Sequence, residues 1–332
     1  MRLPPPGVKF ILSPDTGGAY SWQIAYIYRH MIDNIHLKLI EDRHFKEIPA
    51  ASGIEYLHHR FYITGDEATM VYCLDEQWRP AGNIRLRDND GERLPKAEKQ
   101  DWEAITVLED DDSNPILLLL GSGSLSPQRD FAAVIHWSDG SPIVEQFALT
   151  SFYAQLVARG IRELNIEAAA TLPDGLLLAN RGHTGSRENH LILCAPPHIW
   201  QPSPEGNNST LLITALHLPY GKEFAGISGM CYWPEKDWLF FTTSTETTAS
   251  TYDDGEIGES MLGIIYQAKE AIRAAVVQAD YLLPLTSVSP IFHQQKIESV
   301  CLVPGTDQCQ LVLVADNDDG TSHFFRLSLV YP

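Results

Sequence analysis

The sequence predicts an all-β fold, a five-bladed β-propeller. Three observations carry that expectation. A short module of polar anchor, tiny residue and apolar strand recurs five times. Each copy is followed by a second and a third apolar strand. The last copy runs out after its third strand, while strand-like sequence precedes the first copy.

The anchors are Ser52, Glu103, Glu167, Ser228 and Glu298, each followed by Gly53, Ala104, Ala168, Gly229 or Ser299. The anchors are spaced 51, 64, 61 and 70 residues apart. Periods of this length, built from several strands, indicate propeller blades. Second strands are expected over Phe61–Thr64, Ile116–Leu120, Leu176–Ala179, Trp238–Phe241 and Leu311–Ala315. They end in Asp66, Ser122, Arg181, Ser244 and Asp316, where β-rich runs give way to turn residues. Third strands follow at Met70–Leu74, Phe131–Trp137, His190–Cys194, Ser260–Tyr266 and His323–Leu329. The missing fourth strand of the last blade is expected from His36–Ile40 or Phe45–Pro49. Pairing the two chain ends leaves no open sheet edge in the ring. A six-bladed ring, with a degenerate blade before the first anchor, is the alternative.

Residues 36–332 therefore read as one domain, and 1–35 as an N-terminal extension of uncertain order. Residues 150–163 carry apolar positions at helical spacing and predict a short helix between the second and third blades. Residues 196–209 read as a loop. Residues 244–260, which include Tyr252, Asp253, Asp254 and Glu256, read as an acidic insertion able to cover one face.

The formal charge is −19. Nucleic-acid binding draws on Lys and Arg to neutralise phosphates, so no nucleic-acid partner is expected. No run approaches the roughly 18 apolar residues of a membrane helix, and the first residues lack a signal-peptide core. A cytoplasmic location is expected. The five cysteines, Cys73, Cys194, Cys231, Cys301 and Cys309, form no Cys-x-x-Cys pair and sit mostly in apolar strands. They read as small buried residues in a reducing compartment.

With the anchors aligned, the chain resembles an uncharacterised bacterial family of propeller proteins, a domain of unknown function. The resemblance spans roughly positions 45 to 328. It rests on Ser52-Gly53-Ile54-Glu55-Tyr56, Gly65-Asp66, Gly121-Ser122-Gly123-Ser124 with Ser126-Pro127 and Arg129-Asp130, Asn165-Ile166-Glu167, Asn180-Arg181-Gly182, Tyr252-Asp253-Asp254-Gly255-Glu256, Lys296-Ile297-Glu298-Ser299-Val300 and Asp316-Asn317-Asp318-Asp319-Gly320. That family implies a propeller and no established activity. The Glu-plus-small-residue anchor is more distantly similar to that of esterase-like and phytase-like propellers. This second likeness implies calcium-dependent hydrolysis of phosphate esters at a channel mouth.

Innermost propeller strands line the central channel, so the five anchors are expected to converge on the axis. Converging carboxylates require protons, cationic partners or a bound cation. One reading gives Glu103, Glu167, Glu298, Asp66 and Asp316 to a metal, with Ca2+ as the suitable ion. The other makes the ring glutamates structural, paired with Arg129, Arg181 or Lys296. Asp66, Ser122, Arg181, Ser244 and Asp316 are expected to form a second ring at the mouth, where Arg129 and Arg181 are candidate anion forks. Asp316-Asn317-Asp318-Asp319-Gly320 is equally ordinary turn chemistry and does not meet the EF-hand pattern. Gly121-Ser122-Gly123-Ser124 lacks the lysine of a nucleotide loop, and Ser122 lies in no Gly-x-Ser-x-Gly elbow. His183 and His190, near each other across a turn, are general acid–base candidates or solvated loop histidines. Two functions follow as expectations: a module binding a small molecule or protein at an acidic channel mouth, or a calcium-dependent phosphate-ester hydrolase.

Overall fold

A computed structural model describes residues 35–87, 94–95, 98–183, 185–201, 210–219, 224–245, 258–305 and 309–331. The expected extension, apart from Ile35, falls outside these residues. So do most of the acidic insertion, with Asp253, Asp254 and Glu256, and the end of the 196–209 loop.

Among the described residues, twenty-one strands form five sheets around a common axis. β1 (His36–Phe45) comes first. Blade 1 is β2 (Ala51–Leu57), β3 (Arg60–Gly65), β4 (Met70–Asp75) and β5 (Pro80–Arg85). Blade 2 is β6 (Trp102–Glu109), β7 (Pro115–Gly121), β8 (Phe131–Ser138) and β9 (Ser141–Ala148). Helix α1 (Thr150–Ala158) follows. Blade 3 is β10 (Ile166–Leu172), β11 (Gly175–Asn180), β12 (Asn189–Ala195) and β13 (Thr210–His217). Blade 4 begins with β14 (Ala225–Trp233), β15 (Trp238–Thr245) and β16 (Met261–Tyr266). The chain then forms helix α2 (Ala268–Ala271) and β17 (Val276–Gln278), which adds to blade 3 beside β13 in parallel register. It returns as β18 (Tyr281–Pro284) to complete blade 4. Blade 5 is β19 (Ile297–Val303), β20 (Cys309–Asp316) and β21 (Ser322–Val330), closed by β1.

The closing strand, His36–Phe45, contains the first candidate segment, His36–Ile40, and only Phe45 of the second, whose residues 46–49 lie outside it. It pairs antiparallel with β21 along its length, from His36 opposite Val330 to Phe45 opposite Ser322. The described residues form five blades. The detour of β17 to the edge of blade 3 was not foreseen, because a three-residue strand carries little periodic signal.

The apolar runs of the second strands have a simple cause. Each such strand is buried on both faces between neighbouring blades, so its residues need not alternate with polar ones. In β7, Leu117 and Leu119 pack towards blade 1, while Ile116, Leu118 and Leu120 pack towards blade 3. In β20, Val312 and Val314 face blade 1, while Leu311 and Leu313 face blade 4. The interior is thus five apolar layers, one between each pair of blades. Helix α1 caps the layer between blades 2 and 3 with Phe152, Tyr153 and Leu156, and the Tyr153 hydroxyl donates to the Gly121 carbonyl at 2.5 Å. All five cysteines are buried and unpaired. Among the described residues, no helix is long and apolar enough to cross a membrane.

Candidate functional site at the channel mouth

The five anchors occupy one structural position. Each innermost strand slips register against its neighbour at the anchor: between Ala51 and Gly53, Trp102 and Ala104, Ile166 and Ala168, Ile227 and Gly229, and Ile297 and Ser299. A bulge leaves one residue out of the ladder and re-aims its side chain. The bulged residues are Ser52, Glu103, Glu167, Ser228 and Glu298. The small residue after each anchor has a steric reason at two positions. A Cβ at Gly229 would lie 2.6 Å from the Ser299 Cα of the next blade, and one at Gly53 would lie 2.6 Å from Thr64 Cγ2.

The two serine anchors bind blade to blade. Ser52 Oγ donates to the Trp102 carbonyl, and Ser228 Oγ donates to the Ile297 carbonyl, each at 2.6 Å. Both acceptors immediately precede a glutamate anchor. Side-chain bonds also join blades 3 and 4 (Asn189 Oδ1 accepting from Ile227 N–H) and blades 5 and 1 (Ser299 Oγ accepting from Ile54 N–H).

The glutamates differ in how they are compensated. Glu167 accepts from Asn165 Nδ2 at 2.6 Å and lies 3.5 Å from Arg181 Nη1. Glu298 lies 3.0 Å from Lys296 Nζ and 3.8 Å from Arg181 Nη1. Arg181 also donates to Ser244 Oγ at 3.1 Å and packs so closely on Gly226 that a Cβ there would meet its side chain. One guanidinium thereby ties blades 3, 4 and 5 together.

Glu103 is held by no hydrogen bond or ion pair among the described residues. It sits half-buried beside Asp66 and Asp101, and the three can bring carboxylate oxygens within 4.8 Å of one another. Burial pushes its carboxyl well above the usual carboxylate range. The charges of Asp101, Glu167 and Asp66 add to the rise, and Lys99 opposes it. Lys99 Nζ is seated between Asp66 Oδ2 at 2.5 Å and Asp101 Oδ1 at 2.8 Å. Arg129 is buried and donates to Asp101 Oδ2 at 2.8 Å and to Ser124 Oγ at 2.6 Å, and Ser122 Oγ donates to the same Asp101 oxygen. Arg129 therefore serves Asp101 rather than a ring glutamate, and Ser122 is wholly buried. Asp316 lies at the end of β20, where its carboxylate accepts from Asp318 N–H; burial raises its pKa to about 7.

Of the sequence-derived candidates, Asp66 and Glu103 fall in one carboxylate group, while Glu167 and Glu298 share Arg181 and Glu298 also has Lys296. Lys99, Asp101, Asn165 and Glu55 were not singled out. A signal for two of them, Asp101 and Asn165, was present. The position two before each anchor holds Ala50, Asp101, Asn165, Gly226 and Lys296, and the three polar members all take part in the ring network. Glu55 stands three residues beyond Ser52, a position held elsewhere by Thr106, Ala170, Cys231 and Cys301. Its carboxylate accepts from Tyr56 N–H at 2.8 Å and from Thr106 and Val107 of blade 2, and burial raises its pKa to about 7. Burial also pushes the Cys231 and Cys301 thiols well above their usual range, with Glu55 adding to both, so neither is a reactive thiolate.

A family model matches residues 47–329. The chain belongs to a family of unknown function, DUF6929. No curated protein matches it. Among solved structures it is similar to the Myxococcus xanthus glutaminyl cyclase, at 11% identity and a TM-score of 0.45, covering 89% of this chain and 97% of that one. It is also similar to the major Malassezia sympodialis allergen Mala s 1, at 11% identity and a TM-score of 0.48, covering 87% of this chain and 96% of that one.

Proposed function

We propose that this member of DUF6929 is a binding module that takes a small polar ligand, or an exposed polar group of a partner protein, at the channel mouth. One observation carries the reading. Asp66 and Asp101 have Lys99 and Arg129, and Glu167 and Glu298 have Arg181 and Lys296. Glu103 is the ring anchor without such a partner among the described residues. Four acids and four cations that satisfy one another form a structural girdle. Glu103, half-buried and with its carboxyl pushed above the usual carboxylate range by burial, is placed to hydrogen-bond or ion-pair with an incoming donor. A donor that arrives charged would lower that carboxyl's pKa, since an opposite charge at short range favours the charged form.

The second reading, a calcium-dependent hydrolase, draws support from Asp66, Asp101 and Glu103, whose oxygens could serve a hard cation. The Lys99 ammonium already lies against two of those three carboxylates, which favours the binding module.

A thermal-shift screen of small polar metabolites, run on the wild type and on Glu103→Gln, separates the two. The binding reading expects compounds that raise the melting temperature of the wild type and not of the variant, with no response to calcium or chelator. A calcium-dependent rise of several degrees that Glu103→Gln abolishes would replace it with the metal reading.

A further inference from the structure

The ring closes where β1 meets β21, and two histidines face each other across that seam. His44 of β1 lies directly opposite His323 of β21, and two residues along Asp42 lies opposite Phe325. Opposed residues of an antiparallel ladder project from one face, with Cβ atoms roughly 5 Å apart, and residues two apart share that face. The two imidazole rings stand 5.6 Å apart, centre to centre, at 70°. The His323 ring also lies 4.2 Å from the Phe325 ring, which steadies its plane.

Each imidazole is oriented by an acid. His323 Nε2 lies 3.0 Å from Asp42 Oδ2, so this nitrogen carries the proton and donates it. Thr321 Oγ1 donates its only proton to Asp319 Oδ1 at 2.5 Å. The 2.6 Å contact between Thr321 Oγ1 and His44 Nε2 then requires the histidine to donate. The Thr321 hydroxyl, and after it the Thr321 N–H, hold the Asp319 carboxyl below its usual range, as befits an ionised acceptor.

With the protons on Nε2, each neutral ring keeps the lone pair of its Nδ1. Neither Nδ1 has a hydrogen-bond partner among the described residues, and His44 is exposed. An imidazole whose far N–H is held by a carboxylate has the arrangement of a metal-binding histidine. The acid fixes the tautomer and raises the basicity of the free nitrogen. Here two such rings occupy opposed positions of one ladder.

We infer that His44 and His323 form a site for a divalent transition ion of the Zn2+ class, each binding through Nδ1, with Asp42 and the Thr321–Asp319 pair holding the rings from behind. Imidazole nitrogen suits such ions, whereas Ca2+ and Mg2+ take oxygen. Water completes the coordination. The bound ion clips β1 to β21, the pairing that closes the ring. The site does not involve Glu103 or rest on the reading of the channel mouth.

Calorimetric titration of the full chain, free of any histidine tag, with ZnCl2 up to about 1 mM tests it, a range that reaches weak binding. A Zn2+ site is expected, with a melting temperature that rises with Zn2+ concentration because the ion favours the folded state. His44→Ala and His323→Ala should each abolish that site. Asp42→Asn and Thr321→Val, which remove only the groups behind the rings, should weaken it about 10–100-fold. Glu103→Gln should leave it unchanged. His44 is exposed, so His44→Ala should melt as the wild type does without metal, and its result stands even if His323→Ala fails to fold. Absence of a Zn2+ site in the wild type overturns the inference. So does a site that survives His44→Ala, or one indifferent to both Asp42→Asn and Thr321→Val.

Discussion

Glu55 offers the sharpest test of how the hub is held together. Its carboxylate crosses from blade 1 to Thr106 and Val107 on blade 2, and burial raises its pKa from 4.5 to about 7. A carboxyl with a raised pKa holds its proton more tightly in the folded chain than in the unfolded one. Between about pH 4.5 and 7 the folded state keeps a proton that the unfolded state has lost, so stability falls as pH rises through that window. At 1.36 kcal/mol per pKa unit the full penalty above pH 7 is about 3 kcal/mol, and partial exposure to solvent reduces it to the order of 2 kcal/mol. Glu55→Gln keeps the shape of the protonated acid and removes the titration. The variant should match the wild type at pH 5 and exceed it at pH 8, by about 4 °C in melting temperature if each kcal/mol is worth roughly 2 °C at this chain length. Calorimetry of both proteins from pH 5 to 8.5 reads this directly. Asp316 titrates over the same range, but it does so in both proteins and drops out of their difference. A difference in melting temperature that stays constant across pH, or that grows towards pH 5, refutes the reasoning.

Other perturbations address the ring and its closure. Ser228→Ala removes the donor to the Ile297 carbonyl and should cost about 1–2 kcal/mol by urea unfolding, with Ser52→Ala similar through Trp102. Lys99→Met leaves Asp66 and Asp101 without their shared ammonium and should cost on the order of 3–5 kcal/mol at pH 7. Deleting residues 1–45 strips the outer strand from β21 and bares a long sheet edge. Size-exclusion chromatography should then show aggregation in place of the full chain's behaviour.

The blade count, the three core strands of each blade, the helix after blade 2 and the joining of the chain ends were all legible in the sequence. The reason is that burial on both faces writes long apolar runs, and close packing at the hub leaves room only for glycine after Ser52 and Ser228. Leu117-Leu118-Leu119-Leu120 needs no alternation because alternate members serve different blades. The equivalence of Ser52, Glu103, Glu167, Ser228 and Glu298 follows from the same local rule.

Which charge meets which is another matter. Arg129 and Arg181 look alike in the chain, yet one is buried against Asp101 on its own blade and the other reaches over three blades. Lys99 precedes β6 without any periodic mark, and its ammonium meets Asp66 from a different blade. Local propensity depends on near neighbours and can be read along the chain. Pairing of charges depends on distances of a few ångströms between segments remote in sequence, and only the closed ring sets those.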